Sequence, residues 1–244
     1  MAGHDLESPG GDTPAHWSKL YRSRSDDEVA LHRPTFTGDV FTGTSVTLPD
    51  GTQTTIDAMI VQHPCALRSD GVKLNPGILV AEVRDHQEVR SEKWGGFLKR
   101  MPIPDIARAP EGQKPLHRAA FFDVVHVASS ARLGKHIASM SQFGVNLMLQ
   151  RWVHHNSRVV VPTFTYNEQT SGVFEEADLV EEWCGELNGV VDAEQATRDA
   201  VGWLREPSVP GGEMRQRLLA DPQHRSQIRT DMRAHLRALL AAQE

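Results

Sequence analysis

The 244-residue chain contains 39% hydrophobic and 24% charged residues, a composition typical of a folded protein with a real core. Its net charge of -6 argues against a general nucleic-acid binder, although a local basic face is compatible with it. No apolar run reaches the roughly 18 residues that cross a bilayer, and the polar first residues do not resemble a signal peptide. We therefore expect a cytoplasmic protein with no membrane partner.

Changes in composition divide the chain into three segments. Residues 1–33 are rich in Gly, Pro, Ser, Asp and His and are predicted to form a flexible arm. Residues 34–170 carry strand-like runs, and residues 171–244 have a helical pattern. The expected organisation is an arm, a β domain and a helical carboxy-terminal region.

The β domain contains several strand-like runs. Residues 36–62 alternate, are rich in β-branched side chains, and contain the turn signal Pro49-Asp50-Gly51, which predicts a hairpin. Residues 77–83 and 121–127 are short apolar runs that predict two further buried strands.

Three other segments complete the β domain. A polar loop at about 84–118 is long enough to be functional or to contain short elements of its own. Apolar residues at three- and four-residue spacings predict a packed helix at about 135–155. Residues 158–166 read as a strand that returns to the sheet and stops near its proline.

The order of these elements has a counterpart in a known fold. Gly38-Asp39-Val40 opens a first strand, residues 58–62 form an apolar second strand, and residues 78–83 form a third. Residues 123–152 then give a strand, a short turn and a closing helix. This order resembles the MazF/PemK-like toxin family, and the resemblance implies an α+β fold with a small, strongly bent, SH3-like antiparallel β-barrel.

The family's catalytic pattern is not present at the matching positions. Members that cleave RNA resemble one another in an arginine just before the second strand and a hydroxyl residue just after the third. Here those places hold Ile56-Asp57 and Val83-Arg84-Asp85, and an aspartate cannot stabilise a phosphate in the transition state. The resemblance therefore implies a catalytically degenerate barrel that binds a protein, a second copy of itself, RNA or DNA, within a toxin–antitoxin or phage-defence type of system.

A relocated nuclease site is the main alternative. Arg68 and Ser69 follow the second strand, and Arg84, Asp85 and His86 follow the third. Together they could hold a phosphate and supply a general base, which would make the protein an active endoribonuclease. A solvated loop of mixed charge explains the same residues without catalysis.

Cys65 and His63 form a second candidate for catalysis. A thiolate beside an imidazole can be activated for acyl transfer, which would indicate a cysteine hydrolase. The alternative is a small apolar residue at a strand end beside a surface histidine. Cys184 lies far from Cys65 in a dissimilar context, so we expect no disulfide.

The histidines do not predict a metal site. No HxxxH or HExxH spacing fixes two ligands on one helical face, and the adjacent residues His154 and His155 point about 100 degrees apart on a helix. We therefore expect no metal and no cofactor.

A stripe of arginines recurs every fourth residue near the carboxy terminus, which keeps the side chains on one side of a helix. The stripe consists of Arg225, Arg229, Arg233 and Arg237. It could contact a nucleic-acid backbone or an acidic partner, or simply form the polar face of a surface helix. A further alternative is internal pairing with Glu175, Glu176, Glu181 and Glu182.

Overall fold

The computed structural model describes residues 6–25, 33–110 and 112–241, which divide into two compact units. The sheet unit contains residues 6–25, 36–67 and 74–167. The helical unit contains residues 33–35, 68–73 and 168–241.

The described part of the sheet unit contains seven strands, which lie between residues 21 and 140. They are β1 (Tyr21–Arg24), β2 (Val40–Thr47), β3 (Gln53–Ile60), β4 (Gly77–Asp85), β5 (Arg100–Ile103), β6 (Arg118–Ser129) and β7 (Lys135–Met140). In the described part of the chain they form one seven-stranded antiparallel sheet in the order β1-β7-β2-β3-β4-β6-β5.

Among the described residues, one α-helix precedes the strands in the sequence and five follow them, and these later helices make up most of the helical unit. They are α1 (Pro14–Ser18), α2 (Gln142–Ser157), α3 (Thr163–Glu186), α4 (Ala193–Arg205), α5 (Arg215–Leu218) and α6 (Pro222–Ala241). The α+β class is therefore confirmed. Over the residues described, no helix combines the length and the apolar character that crossing a membrane requires.

The predicted hairpin is confirmed as β2 and β3. Gly51 adopts a φ of +85°, and the Asp50 carboxylate accepts a hydrogen bond of 2.9 Å from the Thr52 backbone N–H. Both features are typical of a tight turn, because glycine tolerates positive φ and aspartate binds its own backbone two residues on. The turn sets the register that pairs Val40 with Met59.

The expected barrel is not confirmed. Among the described strands no ladder joins β1 to β5, so the sheet has two edges and is not closed. Side chains nevertheless link these edges, because the Tyr21 hydroxyl donates to the Pro104 carbonyl at 2.7 Å and Arg24 pairs with Asp105 at 3.0 Å.

The predicted helix over residues 135–155 is wrong at its start. Residues 135–140 form β7, which pairs with both β1 and β2. The helix begins at Gln142, because the Ser141 hydroxyl accepts a hydrogen bond of 3.1 Å from the Gly144 N–H and so caps the first turn.

The predicted strand over residues 158–166 is wrong, because residues 158–162 form neither helix nor strand and α3 begins at Thr163. The Glu7 carboxylate accepts hydrogen bonds from the Thr163 N–H at 2.9 Å and from its hydroxyl at 2.5 Å. A carboxylate at a helix N-terminus satisfies unpaired N–H groups and opposes the positive end of the helix dipole. This contact favours a helix where the local sequence favours a strand.

The first residues contribute ordered structure to the sheet unit, in contrast to the expected flexible arm. Leu6, Trp17 and Leu20 are buried, and β1 adds a strand to the sheet. The buried Arg151 donates hydrogen bonds to the carbonyls of Glu7 at 2.5 Å and Trp94 at 3.2 Å. Residues 1–5 and 26–32 of the expected arm lie outside the described residues.

The long polar loop contains short elements, as its length suggested. Residues Ser91–Gly96 form a 3-10 helix that buries Trp94, whose indole N–H donates to the Val89 carbonyl at 2.9 Å. The loop also supplies β5, which pairs with the start of β6. These elements place Arg100 beside Phe121 of β6, at one edge of the sheet.

The helical unit has an apolar core of its own. Asp192 caps α4 by accepting hydrogen bonds from the Glu194 and Gln195 N–H groups at 3.0 and 2.9 Å. The buried residues of this core include Leu179, Trp183, Val201, Leu204, Ile228, Met232 and Leu236.

Candidate functional site

Phe121 on β6 lies between two arginines of neighbouring strands. The register pairs Phe121 with Arg100 of β5 on one side and with Glu82 of β4 on the other. The guanidinium carbons of Arg100 and Arg84 lie 4.5 and 5.2 Å from the centre of the Phe121 ring. These distances are typical of cation–π contacts.

His86, directly after β4, extends this group of side chains. Its ring lies 5.7 Å from that of Phe97 and 6.3 Å from that of Phe121. We call the set Arg84, His86, Phe97, Arg100 and Phe121 the arginine–aromatic surface.

Hydrogen bonds indicate which nitrogen of the His86 ring carries the proton. Its Nδ1 lies 2.7 Å from the Gln87 carbonyl, which can only accept, so Nδ1 carries the proton. Its Nε2 lies 3.0 Å from Nη1 of Arg100, which can only donate, so Nε2 accepts. The lone pair that a general base would use is therefore engaged by Arg100.

The two arginines of the surface differ in their charge partners. Arg84 forms a two-pronged ion pair with Glu82 at 2.8 and 2.9 Å, and this hydrogen bonding holds the pKa of Glu82 below its usual range despite partial burial. Arg100 has no ion pair with any described carboxylate; its guanidinium lies 3.0 Å from Nε2 of His86 and 4.5 Å from the centre of the Phe121 ring. Of these two arginines, Arg100 is therefore the better placed to bind a phosphate.

A cleft of about 830 Å³ adjoins the surface at His86. The backbone N–H of His86 donates to the His117 carbonyl at 3.0 Å, which holds the two walls together. The cleft is lined by Asp85, His86, Gln87, Glu88, Lys114, Pro115, Leu116 and His117.

His117 in this cleft has a lowered pKa. Burial lowers the pKa of His117 first, and the nearby Lys114 lowers it further, while Glu88 and Asp105 oppose both. Its ring also packs edge-on against Trp17 at 5.1 Å. A neutral imidazole at neutral pH is chemically able to accept a proton.

Arg118 lies beside Asp57, the residue that occupies the position at which the family resemblance leads us to expect an arginine. Its Nη1 pairs with Asp57 at 2.5 Å and its Nε with Asp85 at 3.0 Å. Partial burial raises the pKa of Asp57, but hydrogen bonds from Thr42, Arg118 and Gly43 outweigh it and hold that pKa below its usual value. The arginine of this region is therefore held between two carboxylates.

The predicted nuclease residues separate into two groups. Arg84 and Asp85 are the last residues of β4, and His86 follows directly. Arg68 and Ser69 belong to the helical unit, where Arg68 donates to the carbonyls of Val72 at 3.2 Å and Thr35 at 2.7 Å. A shared site of all five residues stays a prediction.

Cys65 and His63 make a contact that caps a turn. Nδ1 of His63 accepts a hydrogen bond of 3.3 Å from the backbone N–H of Cys65, at the start of the 3-10 helix Pro64–Ala66. Cys65 is exposed, and partial burial lowers the pKa of His63. The imidazole thus engages the backbone of Cys65, and the hydrolase role stays a prediction.

The arginine stripe is paired inside the helical unit. Glu182 accepts from both Arg229 and Arg233 at 2.5 Å, and Glu175 lies 3.4 Å from Arg225. Nε of Arg237 donates to the Arg233 carbonyl at 3.2 Å. Of the alternatives left open by the sequence, this geometry favours internal pairing.

Metal ligands do not cluster in the described part of the chain. No group of three or more His, Cys, Asp or Glu side chains lies close enough there to share an ion. The ring of His155 stacks on Trp152, with 6.4 Å between the ring centres.

Comparisons with known proteins give little further information. No family model matches the chain, and no curated protein matches it. A solved endoribonuclease from a mycobacterial species matches with a TM-score of 0.32 and 11% identity, covering 50% of this chain and 90% of that one. A TM-score this low carries no argument about fold or activity.

Proposed function

We propose that the sheet unit binds single-stranded RNA on the arginine–aromatic surface. The observation that carries this proposal is the position of Phe121 between the guanidinium groups of Arg84 and Arg100, at 5.2 and 4.5 Å. Proteins that bind single strands combine aromatic rings, on which bases stack, with cations that follow the backbone. The other side chains of the surface, His86 and Phe97, add further flat rings beside Phe121.

Each part of the surface has its own role in this proposal. The rings of Phe97 and Phe121 offer faces on which bases stack. Arg100, which has no carboxylate partner among the described residues, binds a phosphate. Arg84 is held in place by Glu82 and supplies a planar guanidinium on which a base can stack.

The proposed activity is binding without cleavage. The lone pair of His86 is engaged by Arg100, and Asp85 is paired with Arg118. Asp57 stands where the MazF/PemK-like resemblance expects an arginine, and the nearby Arg118 is bound to Asp57 and Asp85. We therefore propose a catalytically degenerate relative of that family, whose sheet is open between β1 and β5. It would act within a toxin–antitoxin or phage-defence type of system.

Fluorescence anisotropy with labelled single-stranded RNA tests this function. We expect Phe121→Leu and Arg100→Ala each to raise the Kd by about tenfold, the effect of removing one stacking or phosphate contact. The matched control is Arg132→Ala, which removes an exposed arginine from the 3-10 helix after β6. Wild-type protein that binds no RNA, or equal losses in all three variants, would sink the proposal.

A relocated endoribonuclease site is the second candidate, and the cleft favours it. His117 has a lowered pKa and shares the cleft with the cation Lys114, so a proton acceptor and a phosphate ligand lie together. Labelled RNA should then be cut by the wild type and not by His117→Ala, with Arg84→Ala as the comparison for the arginine–aromatic surface. Intact RNA with and without divalent metals would exclude this candidate and leave binding alone.

A further inference from the structure

A second cavity, of about 490 Å³, opens elsewhere in the sheet unit. Its walls come from the end of β1, from β2 and β7, from the segment after β5 and from the start of β6. The lining residues are Ser25, Thr42, Ile106, Ala107, Leu116, Arg118 and Ile137. Cavities of this size, with apolar walls and few polar groups, are typical of small-molecule sites.

The walls are mainly apolar. Ile106 is buried, Ile137 is half-buried, and Leu116 is 41% exposed at the rim. Ser25 adopts a φ of 75°, which is uncommon for a residue with a side chain. Strained backbone of this kind is more frequent at ligand sites than elsewhere.

Arg118 supplies the charge of this cavity, and its guanidinium is fixed in place. Nη1 is bound to Asp57 and Nε to Asp85, at 2.5 and 3.0 Å. Nη2 has no acceptor among the described residues, so its N–H groups can still bind a ligand. A guanidinium anchored by Asp57 loses little entropy when it binds a ligand.

The two carboxylates hold Arg118 with unequal strength. Asp57 is 22% exposed and its pKa is held low by hydrogen bonds from Thr42, Arg118 and Gly43, which outweigh its partial burial. Asp85 is 76% exposed, and ion pairs in that setting contribute little. An incoming anion can therefore displace Asp85 and leave the pair with Asp57 intact.

We propose that this cavity binds a small amphipathic anion. A carboxylate or phosphate group pairs with Arg118, because the guanidinium fork matches the geometry of both. An apolar body packs against Ile106, Leu116 and Ile137, which removes apolar surface from water. The residues that line this cavity are not members of the arginine–aromatic surface.

Isothermal titration calorimetry of the full chain with phenylacetate tests the site, with benzyl alcohol as the neutral analogue and inorganic phosphate as the anion without an apolar body. We expect phenylacetate to bind and both comparison ligands to bind at least about tenfold more weakly. Equal affinity for phosphate would overturn the apolar part of the proposal, and equal affinity for benzyl alcohol would overturn the role of the charge.

Two substitutions should change the affinity for phenylacetate in opposite directions. Asp85→Asn removes the competing carboxylate and should tighten phenylacetate binding by about threefold to tenfold. Leu116→Glu adds a negative charge at the exposed rim and should weaken it by a similar factor. Asp85→Asn that weakens binding or leaves it unchanged would refute the displacement of Asp85.

A third variant separates this site from RNA binding. Phe121→Leu should leave the phenylacetate Kd within about twofold, because its ring does not line the cavity. If Phe121→Leu abolishes phenylacetate binding while its thermal unfolding is unchanged, the ligand occupies the arginine–aromatic surface and the cavity proposal fails.

Discussion

Arg24 of β1 and Asp105, which follows β5, form an ion pair of 3.0 Å whose side chains are only 8% and 5% exposed. Nη1 of Arg24 also donates to the Asp105 carbonyl at 2.7 Å. Because β1 and β5 are the two edges of the sheet, this contact joins strands that no ladder joins in the described residues. Side chains thus provide part of what closure of a barrel would provide through backbone hydrogen bonds.

Arg24→Met should destabilise the protein strongly. The substitution leaves the Asp105 carboxylate buried without its cation, and removing one partner of a buried pair costs about 3 to 5 kcal/mol. Urea unfolding at neutral pH measures the loss. The matched control is Arg84→Met, whose ion pair with Glu82 is 48% exposed on the arginine side and should contribute about 1 kcal/mol or less. Similar losses in the two variants would contradict a structural role for the edge-to-edge pair.

The two tyrosines of the chain, Tyr21 and Tyr166, should not ionise in the folded protein near their ordinary pKa. Burial raises the pKa of both, and the Tyr21 hydroxyl also donates to the Pro104 carbonyl at 2.7 Å. A folded pKa above the unfolded value gives stability that is complete below about pH 10 and decreases as the pH rises further.

An alkaline titration tests this expectation. Phenolate absorbance should appear together with the loss of secondary structure measured by circular dichroism, and Tyr21→Phe should lower the free energy of unfolding by about 1 to 2 kcal/mol at neutral pH. Phenolate absorbance that develops near pH 10 while the circular dichroism stays unchanged would show that the hydroxyls are accessible.

The sequence predicted those parts of the fold whose signals are local. The turn at Asp50 and Gly51 fixed the β2–β3 hairpin, and continuous apolar runs fixed β4 and β6. The start of α3 was missed because the Glu7 carboxylate that binds Thr163 is 156 residues away in the chain. The segment 135–140 was misassigned because its apolar spacings continue into α2, while its strand character comes from pairing with β1 and β2.

Of the residues near the arginine–aromatic surface, the sequence singled out only those at the end of β4. Arg84, Asp85 and His86 stand out because charged residues follow an apolar run. Arg100 and Phe121 were missed, since the register that places them beside Arg84 is a cross-strand property. Arg118 was missed for the same reason, because its pairing with Asp57 joins two strands 61 residues apart in the chain.

Asp57→Asn should remove stability that depends on pH. Partial burial raises the pKa of Asp57, but hydrogen bonds from Thr42, Arg118 and Gly43 lower it more. A lowered carboxylate pKa gives stability that is present above the unfolded value of about 3.9 and is lost as the pH falls through the folded value. The difference between wild type and variant should be about 1 to 3 kcal/mol at neutral pH and shrink below about pH 4.

Urea unfolding at several pH values measures this difference, with Asp85→Asn as the control. Asp85 is 76% exposed, so its loss should have a smaller effect at every pH. A loss for Asp57→Asn that is the same at acidic and neutral pH would indicate a packing effect rather than a lost charge.

The arginine stripe should contribute to the helical unit and not to RNA binding. Arg229 and Arg233 donate to the same Glu182 carboxylate at 2.5 Å, and Arg229 also lies 3.6 Å from Glu175, so their charges are partly compensated. We expect the double variant Arg229→Gln and Arg233→Gln to keep the RNA Kd within about twofold of the wild type, while Arg100→Ala raises it. The double variant should also unfold at a lower temperature in low salt, and this difference should decrease at high salt because exposed ion pairs are screened. An RNA affinity that falls as much in the double variant as in Arg100→Ala would transfer RNA binding to the helical unit.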